Sequence, residues 1–83
     1  MKYFYTYVLS SKRDHKFYIG WTLDLKKRLE KHNKGFVKAT KSRRPFILIY
    51  FEGCISKRRA IIREKQLKTG FGRAYLKRRL LES

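Results

Sequence analysis

Five side chains of this sequence have functional groups that can do acid–base or electrostatic chemistry. They are Tyr7, Tyr18, Arg28, His32 and Glu64. A phenol can relay a proton, an imidazole can accept one, a guanidinium can neutralise an anion, and a carboxylate can hold a hard cation. Because the five residues are spread along the chain, they can act together only if the fold brings them to one place.

Arg28 and His32 lie on a predicted helix that begins near Asp24 and follows a predicted strand at residues 17–21. At about 100° per residue, one face of this helix carries Leu25, Arg28, Leu29 and His32. An arginine and a histidine on an inward face have two explanations. One is a snorkelling guanidinium with a hydrogen-bonded core histidine, and the other is a polar site.

Tyr7 and Tyr18 lie near the middle of two predicted strands, at residues 3–9 and 17–21, which a polar loop joins into an antiparallel hairpin. The pairing places the two tyrosines near each other on one face of the sheet. Ordinary packing of tyrosines in a sheet is the alternative to a functional pair. Gly20, inside the second strand, predicts a bend or a close approach of the backbone to another group.

The remainder of the chain predicts one more strand and two more helices. A basic connector at residues 36–45 leads to an apolar strand at 46–51, which we expect to be covered on both faces. Helices are predicted at 57–69 and 73–81. The order β-β-α-β-α-α predicts an α+β fold, a small three-stranded antiparallel sheet flanked by helices, in a single domain over residues 1–83.

Glu64 lies on the inward face of the first of these two helices. The apolar members of that face are Ala60, Ile61, Leu67 and, continuing it, Phe71. A buried carboxylate without a partner is unfavourable. Glu64 is therefore either half of an ion pair, with Arg28 across the core or with Lys68 at i+4, or a functional carboxylate.

The charge of the chain indicates a polyanionic partner. Lys and Arg number 23 against six acids, a formal net charge of +17. Nucleic acid is the first candidate, and a ribosomal-type structural protein or a membrane-surface binder are the alternatives. The residues predicted to contact phosphate are Lys38, Lys41, Arg43, Arg44, Lys57 and Arg58.

Several other classes of protein and site are disfavoured. Cys54 is the single cysteine, so the chain has no internal disulfide and no cysteine-rich zinc site. No apolar run approaches the roughly 20 residues needed to span a bilayer. Met1-Lys2 leads directly into a strand-like run and not into a signal peptide. We therefore expect a soluble, intracellular, cytoplasmic protein without a membrane partner.

The order of these motifs resembles the GIY-YIG nuclease family in its small stand-alone form. Tyr18-Ile19-Gly20 is similar to the second motif, and Tyr5-Thr6-Tyr7 resembles the first with its last tyrosine kept. Residues 25–33 resemble the arginine helix of the family, and residues 60–68 resemble its glutamate helix. Thr40 with Arg43-Arg44-Pro45 is similar to the compact members. The resemblance extends from Tyr5 to about Leu80.

This resemblance implies an endonuclease that hydrolyses DNA phosphodiester bonds with one divalent metal ion, Mg²⁺ or Mn²⁺, in a process such as DNA repair. It assigns the metal to Glu64 and the activation of the attacking water to Tyr7. Tyr18 would support the water and metal network, Arg28 would neutralise the transition-state phosphate, and His32 would lie beside them. No other cofactor is implied.

Two other functions stay open from the sequence. One is a non-catalytic nucleic-acid binder on the same scaffold, acting alone or with a protein partner. The other is a structural RNA-binding protein, with RNA in place of DNA as the polyanion. The inward polar residues favour the nuclease, because a pure binder needs its charge on the surface.

Overall fold

The computed structural model describes the backbone of residues 2–81 and the side chains of residues 2–80. Its elements, in chain order, are β1 (Phe4–Ser11), β2 (Phe17–Thr22), α1 (Leu25–Asn33), a short 3₁₀ helix (Lys41–Arg43), β3 (Phe46–Cys54), α2 (Lys57–Leu67) and α3 (Gly70–Leu81). The predicted α+β fold and its element order are confirmed. None of the helices within residues 2–81 combines the length and the apolar character that crossing a membrane requires.

The sheet has the strand order β2-β1-β3, and both pairings are antiparallel, so β1 is the central strand. Tyr7 lies opposite Gly20 of β2 and opposite Phe51 of β3, and Leu9 lies opposite Tyr18. Because side chains alternate between the faces of a strand, Tyr7 and Leu9 share one face with these partners. The register therefore fixes which tyrosines face the same side.

Each face of the sheet has its own apolar core. Under α1, the buried residues Tyr7, Leu9 and Phe46 pack with Tyr18, Leu25, Leu29 and Leu48. Under α2 and α3, the buried residues Val8, Ile19, Leu67 and Leu76 pack with Phe17, Ile49, Tyr50, Tyr75 and Leu80. Helices therefore cover both faces of the central strand, which is why β1 is the most buried strand of the three.

The expectation that the third strand is covered on both faces is wrong. β3 is an outer strand, and Ile47 and Phe51 are 44% and 52% exposed. An uninterrupted apolar run is typical of a strand buried on both faces, but it does not state where in the sheet the strand lies. The strand order leaves part of β3 uncovered.

The corner between α2 and α3 also differs from the prediction. Phe71 does not continue the buried stripe of α2 and is 92% exposed. The chain turns after Leu67, and Gly72 packs directly on the backbone of Gln66 and Leu67. Thr69 supports the turn, because its hydroxyl accepts a hydrogen bond of 3.1 Å from the Gly72 N–H. α3 therefore starts on a new axis.

We predict that Gly72→Ala lowers the free energy of unfolding by about 2 kcal/mol or more, because the new methyl group overlaps backbone atoms that cannot move away easily. Gly70→Ala is the matched control. A Cβ at Gly70 meets no atom within 4 Å, so stability should be unchanged or rise slightly. Urea denaturation of both variants measures the difference. Equal stabilities of the two variants would contradict the packing described for this corner.

Candidate active site

The central feature of the site is the position of the Tyr7 ring, which lies across Gly20 on the neighbouring strand. A Cβ built on Gly20 would be 2.5 Å from the Tyr7 hydroxyl oxygen and 2.7 Å from its Cζ. Only glycine allows this contact, so the close approach predicted at Gly20 is observed. The buried ring thereby carries its hydroxyl across β2 toward α1.

α1 places two polar side chains on this hydroxyl. The helix begins after Asp24, whose carboxylate accepts a hydrogen bond of 3.0 Å from the Lys27 N–H. One turn apart, Arg28 donates its Nε–H to the Tyr7 oxygen at 3.2 Å, and His32 Nε2 lies 2.9 Å from the same oxygen. The inward arginine and histidine therefore meet at a single phenol.

A second hydrogen bond fixes the histidine. His32 Nδ1 lies 2.7 Å from the hydroxyl of Thr40, and that hydroxyl donates to the Val37 carbonyl oxygen at 3.4 Å. Every donor has an acceptor when Nδ1 carries the proton and donates to Thr40. His32 Nε2 then accepts from the Tyr7 hydroxyl, which in turn accepts from Arg28. The result is one directional chain of hydrogen bonds through the site.

The surroundings keep both titrating groups of this chain neutral. Burial is the main cause that raises the pKa of Tyr7, and Arg28 only partly opposes it. Burial, together with the positive charge of Arg28, lowers the pKa of His32 to about 4. At neutral pH, the site therefore holds a protonated phenol hydrogen-bonded to an uncharged imidazole.

Tyr18 and Glu64 complete the set predicted from the sequence. The Tyr18 ring meets His32 edge to face, with ring centroids 5.0 Å apart. Glu64 comes from α2, and its charge is the smallest of the causes that raise the pKa of Tyr7. Tyr7, Arg28 and His32 are in direct contact, whereas the hydrogen-bond partner of Glu64 is Lys68.

Glu64 has a weak ion pair in the structure. Its Oε2 lies 3.4 Å from Nζ of Lys68, one of the two partners considered from the sequence, and Lys68 is half exposed. The Glu64 side chain is itself only 17% exposed. Because Lys68 is half exposed and the contact is long, we expect this i,i+4 pair to contribute a few tenths of a kcal/mol. Such a contact is easily exchanged for another cation.

Thr40 is the site residue that the sequence reasoning did not assign a role. It is fully buried and belongs to the connector between α1 and β3, where no periodic pattern indicates which side chains face inward. Its only signal was the resemblance of this segment to compact family members. The hydrogen bond to His32 gives Thr40 a positioning role, since it selects the tautomer of the imidazole.

The predicted phosphate-contacting residues fall into two groups. Lys38, Lys41, Lys57 and Arg58 are exposed, with Lys57 Nζ 5.3 Å from the centre of the Trp21 ring. Arg43 instead forms an ion pair of 2.7 Å with Asp14, which holds the pKa of that carboxyl well below its usual range. Arg44 donates to the Lys41 carbonyl at 2.8 Å. These two arginines hold the connector in place.

The fold and this polar site define a small α+β domain with a buried polar centre, and comparison with known proteins gives the family. A family model described as the GIY-YIG catalytic domain matches residues 3–78, so the chain belongs to the GIY-YIG family. It is 45% identical over 65 residues to the UPF0213 protein CPE1444 of Clostridium perfringens, covering 77% of this chain and 69% of that protein. A UPF0213 protein of Pediococcus pentosaceus is 47% identical over 66 residues, covering 78% and 68%.

A solved structure has the same fold. The solution NMR structure of the UPF0213 protein BH0048 from Bacillus halodurans aligns with a TM-score of 0.55 at 32% sequence identity. The alignment covers 89% of this chain and 81% of the other. The family expected from the motifs is confirmed.

We predict that acid destabilises the protein through His32. The unfolded chain binds a proton at this residue below about pH 6.5, whereas the folded chain does so only near pH 4. The free energy of unfolding should therefore fall by about 1–2 kcal/mol between pH 7 and pH 5. Urea titrations at both pH values measure this difference.

His32→Gln should be less stable at pH 7 but should show much less of this fall. The control is His15→Asn, which removes an exposed histidine at a φ of 61°, a conformation that asparagine tolerates. This control should lose as much stability between pH 7 and pH 5 as the wild type. The explanation would be wrong if His32→Gln lost as much stability between the two pH values as the wild type.

Proposed function

We propose that this protein is a metal-dependent endonuclease that hydrolyses phosphodiester bonds in DNA. The observation that supports it most is the buried Tyr7 hydroxyl held between the guanidinium of Arg28 and the uncharged imidazole of His32. A binding domain gains nothing from such an inward chain, since phosphate contacts need exposed cations. The net charge of +17 supports a nucleic-acid substrate.

The proposed chemistry moves one proton through Tyr7. A water molecule attacks the phosphorus atom and gives its proton to the Tyr7 oxygen, while the phenol passes its own proton to His32 Nε2. The bond between phosphorus and the leaving oxygen breaks, and the electron pair departs with that oxygen. Thr40 keeps Nε2 unprotonated before the reaction by accepting from Nδ1.

The resting pKa values oppose this transfer, and the substrate is proposed to remove part of that opposition. Burial is the main cause of the low pKa of His32, and the charge of Arg28 is the second. A phosphate bound at Arg28 compensates that charge, so the basicity of His32 rises when substrate arrives. The Nε of Arg28 is committed to Tyr7, and its terminal nitrogens are the donors proposed to meet the phosphoryl oxygens.

The residues present fit a single divalent cation. Within residues 2–80 there is no cluster of three or more His, Cys, Asp or Glu side chains that could enclose a metal ion. Glu64, with one oxygen in a weak contact to Lys68, is the carboxylate proposed as the ligand. One carboxylate plus water molecules is a normal ligand set for Mg²⁺ or Mn²⁺. Bound there, the ion would supply positive charge to the phosphate and lower the pKa of Tyr7.

A non-catalytic nucleic-acid binder is the second candidate, because Lys68 already contacts Glu64 at 3.4 Å. If that pair persists with DNA bound, the carboxylate is not available to a metal ion. The two candidates differ in one measurement, the cleavage of DNA in the presence of Mg²⁺.

We predict that Tyr7→Phe lowers the cleavage rate by about 10²- to 10⁴-fold and changes DNA affinity little. The ring keeps its contact with Gly20, and the hydroxyl that relays the proton is lost. Because His32 Nε2 then loses a buried partner, stability should fall by about 1 kcal/mol. Single-turnover cleavage and a thermal melt measure these effects. Tyr75→Phe, which removes a hydroxyl from the core on the other face of the sheet, should leave the rate unchanged.

We also predict that Glu64→Gln abolishes Mg²⁺-dependent cleavage but keeps the fold and DNA binding. Only the weak contact with Lys68 is lost, so the free energy of unfolding should change by less than about 0.5 kcal/mol. DNA binding measured in EDTA should persist or tighten, since one negative charge near phosphate is gone.

The matched control for that variant is Glu30→Gln. It removes the same charge from the exposed face of α1 and should cleave as the wild type does. A folded Glu64→Gln protein that still cuts DNA in Mg²⁺ would remove Glu64 from the proposed site.

A further inference from the structure

An exposed aromatic surface lies on the face of the sheet that carries Tyr7. It consists of Tyr3, Tyr5 and Phe51, which we call the aromatic platform. The Tyr3 and Tyr5 ring centroids are 6.5 Å apart, and the Tyr5 and Phe51 centroids are 6.0 Å apart. The three rings therefore form a continuous surface across β1 and β3.

The platform is held close to the sheet by a glycine. Gly53 lies opposite Tyr5 in the register, and a Cβ there would be 3.3 Å from the Tyr5 ring and 3.7 Å from the Tyr3 ring. Tyr3 and Phe51 are nevertheless 46% and 52% exposed. The core under α1 lies toward the other end of this face, around Leu9, so the platform is left open.

The platform adjoins the candidate active site. Phe51 lies directly opposite Tyr7 in the pairing of β1 with β3, and Tyr5 precedes Tyr7 by two residues on the same face. Phe51 also borders a shallow depression of about 310 Å³ along β3, with Leu48, Ile49 and Tyr50. A chain that lies on the platform therefore reaches the Tyr7 ring from the β3 side, and the hydroxyl lies beyond that ring, across Gly20 of β2.

The net charge of the protein indicates which kind of partner binds to the aromatic platform. A second copy would bring another +17 against the first, which opposes association through this face. A polyanion with flat apolar groups matches both the charge and the rings. The bases of a duplex are stacked on one another, whereas unpaired bases are free to stack on aromatic side chains.

We propose that the aromatic platform stacks unpaired bases of single-stranded DNA whose backbone continues into the active site. The substrate of the proposed nuclease is then a DNA with a single-stranded segment beside the bond that is cut. This statement about cleavage rests on the proposed function, but the stacking itself can be measured without catalysis. Stacking on aromatic rings tolerates any base, so little sequence preference is expected.

The test is DNA binding in EDTA, measured by fluorescence anisotropy with three labelled probes of equal length. The probes are an oligothymidylate strand, the same strand paired with oligoadenylate, and an abasic strand that keeps the phosphates. The wild type should prefer the oligothymidylate. Phe51→Ala and Tyr3→Ala should each weaken binding of that strand about fivefold or more, and should change binding of the other two probes little.

Phe71→Ala is the matched control, because it removes an aromatic ring that is 92% exposed on α3, away from the platform. It should bind all three probes as the wild type does. Thermal melts check the fold of each variant. Phe51→Leu, which keeps an apolar side chain without a flat ring, should also lose affinity for the oligothymidylate.

The proposal would be overturned if the platform variants weakened binding of the abasic strand as much as binding of the oligothymidylate, or if they did not weaken binding of the oligothymidylate at all. It would also be overturned by light scattering that shows the platform variants changing a monomer–dimer equilibrium and leaving DNA binding intact.

Cleavage assays in Mg²⁺ separate this proposal from the proposed function. If the wild type cuts no DNA but the base-dependent binding is observed, the nuclease assignment fails and the platform stands. If single strands and duplexes are cut equally and Phe51→Ala changes neither, the platform fails and the nuclease stands. Preferential cutting of single-stranded segments that is lost in Phe51→Ala supports both.

Discussion

The contact between the Tyr7 ring and Gly20 is the constraint on which the rest of this structure depends. A side chain at Gly20 would occupy the space of the phenol oxygen, and the hydroxyl would no longer reach α1. α1 is in turn held by Asn33, whose side chain pairs with the backbone N–H and carbonyl of Phe46 at 2.7 and 3.0 Å. The sheet and the helix therefore fix the two ends of one hydrogen-bond chain.

The few acidic side chains of this basic protein are used in distinct ways. Asp14 pairs with Arg43 and closes the connector onto the β1–β2 loop. Glu52 accepts from Arg63 at 3.0 Å and from the Tyr50 hydroxyl at 2.6 Å, which ties α2 to β3. Glu64 has only the longer contact with Lys68 among the described residues, which sets it apart from these two structural carboxylates.

The polar site holds Tyr7 and His32 in their uncharged forms at neutral pH. Burial favours the neutral forms of both Tyr7 and His32, and Arg28 lowers the pKa of the imidazole further. An isolated buried charge would be costly in such a small core, so a neutral resting state is compatible with stability. Arg28 is coupled to both groups, because its positive charge lowers the pKa of Tyr7 and of His32.

The sequence determined the local elements, because their signals are short in range. The period of Arg28 and His32 on one helix face, the Asp24 cap and the alternation of β1 all act within a few residues. These patterns, with the family motifs, predicted the fold, which is confirmed, and the five site residues, whose roles stay a prediction. Only the tertiary structure decided that β3 is an outer strand, that Phe71 is exposed and that Thr40 selects the tautomer of His32. Those features depend on strand order and on contacts between distant segments, and no local pattern in a chain encodes them.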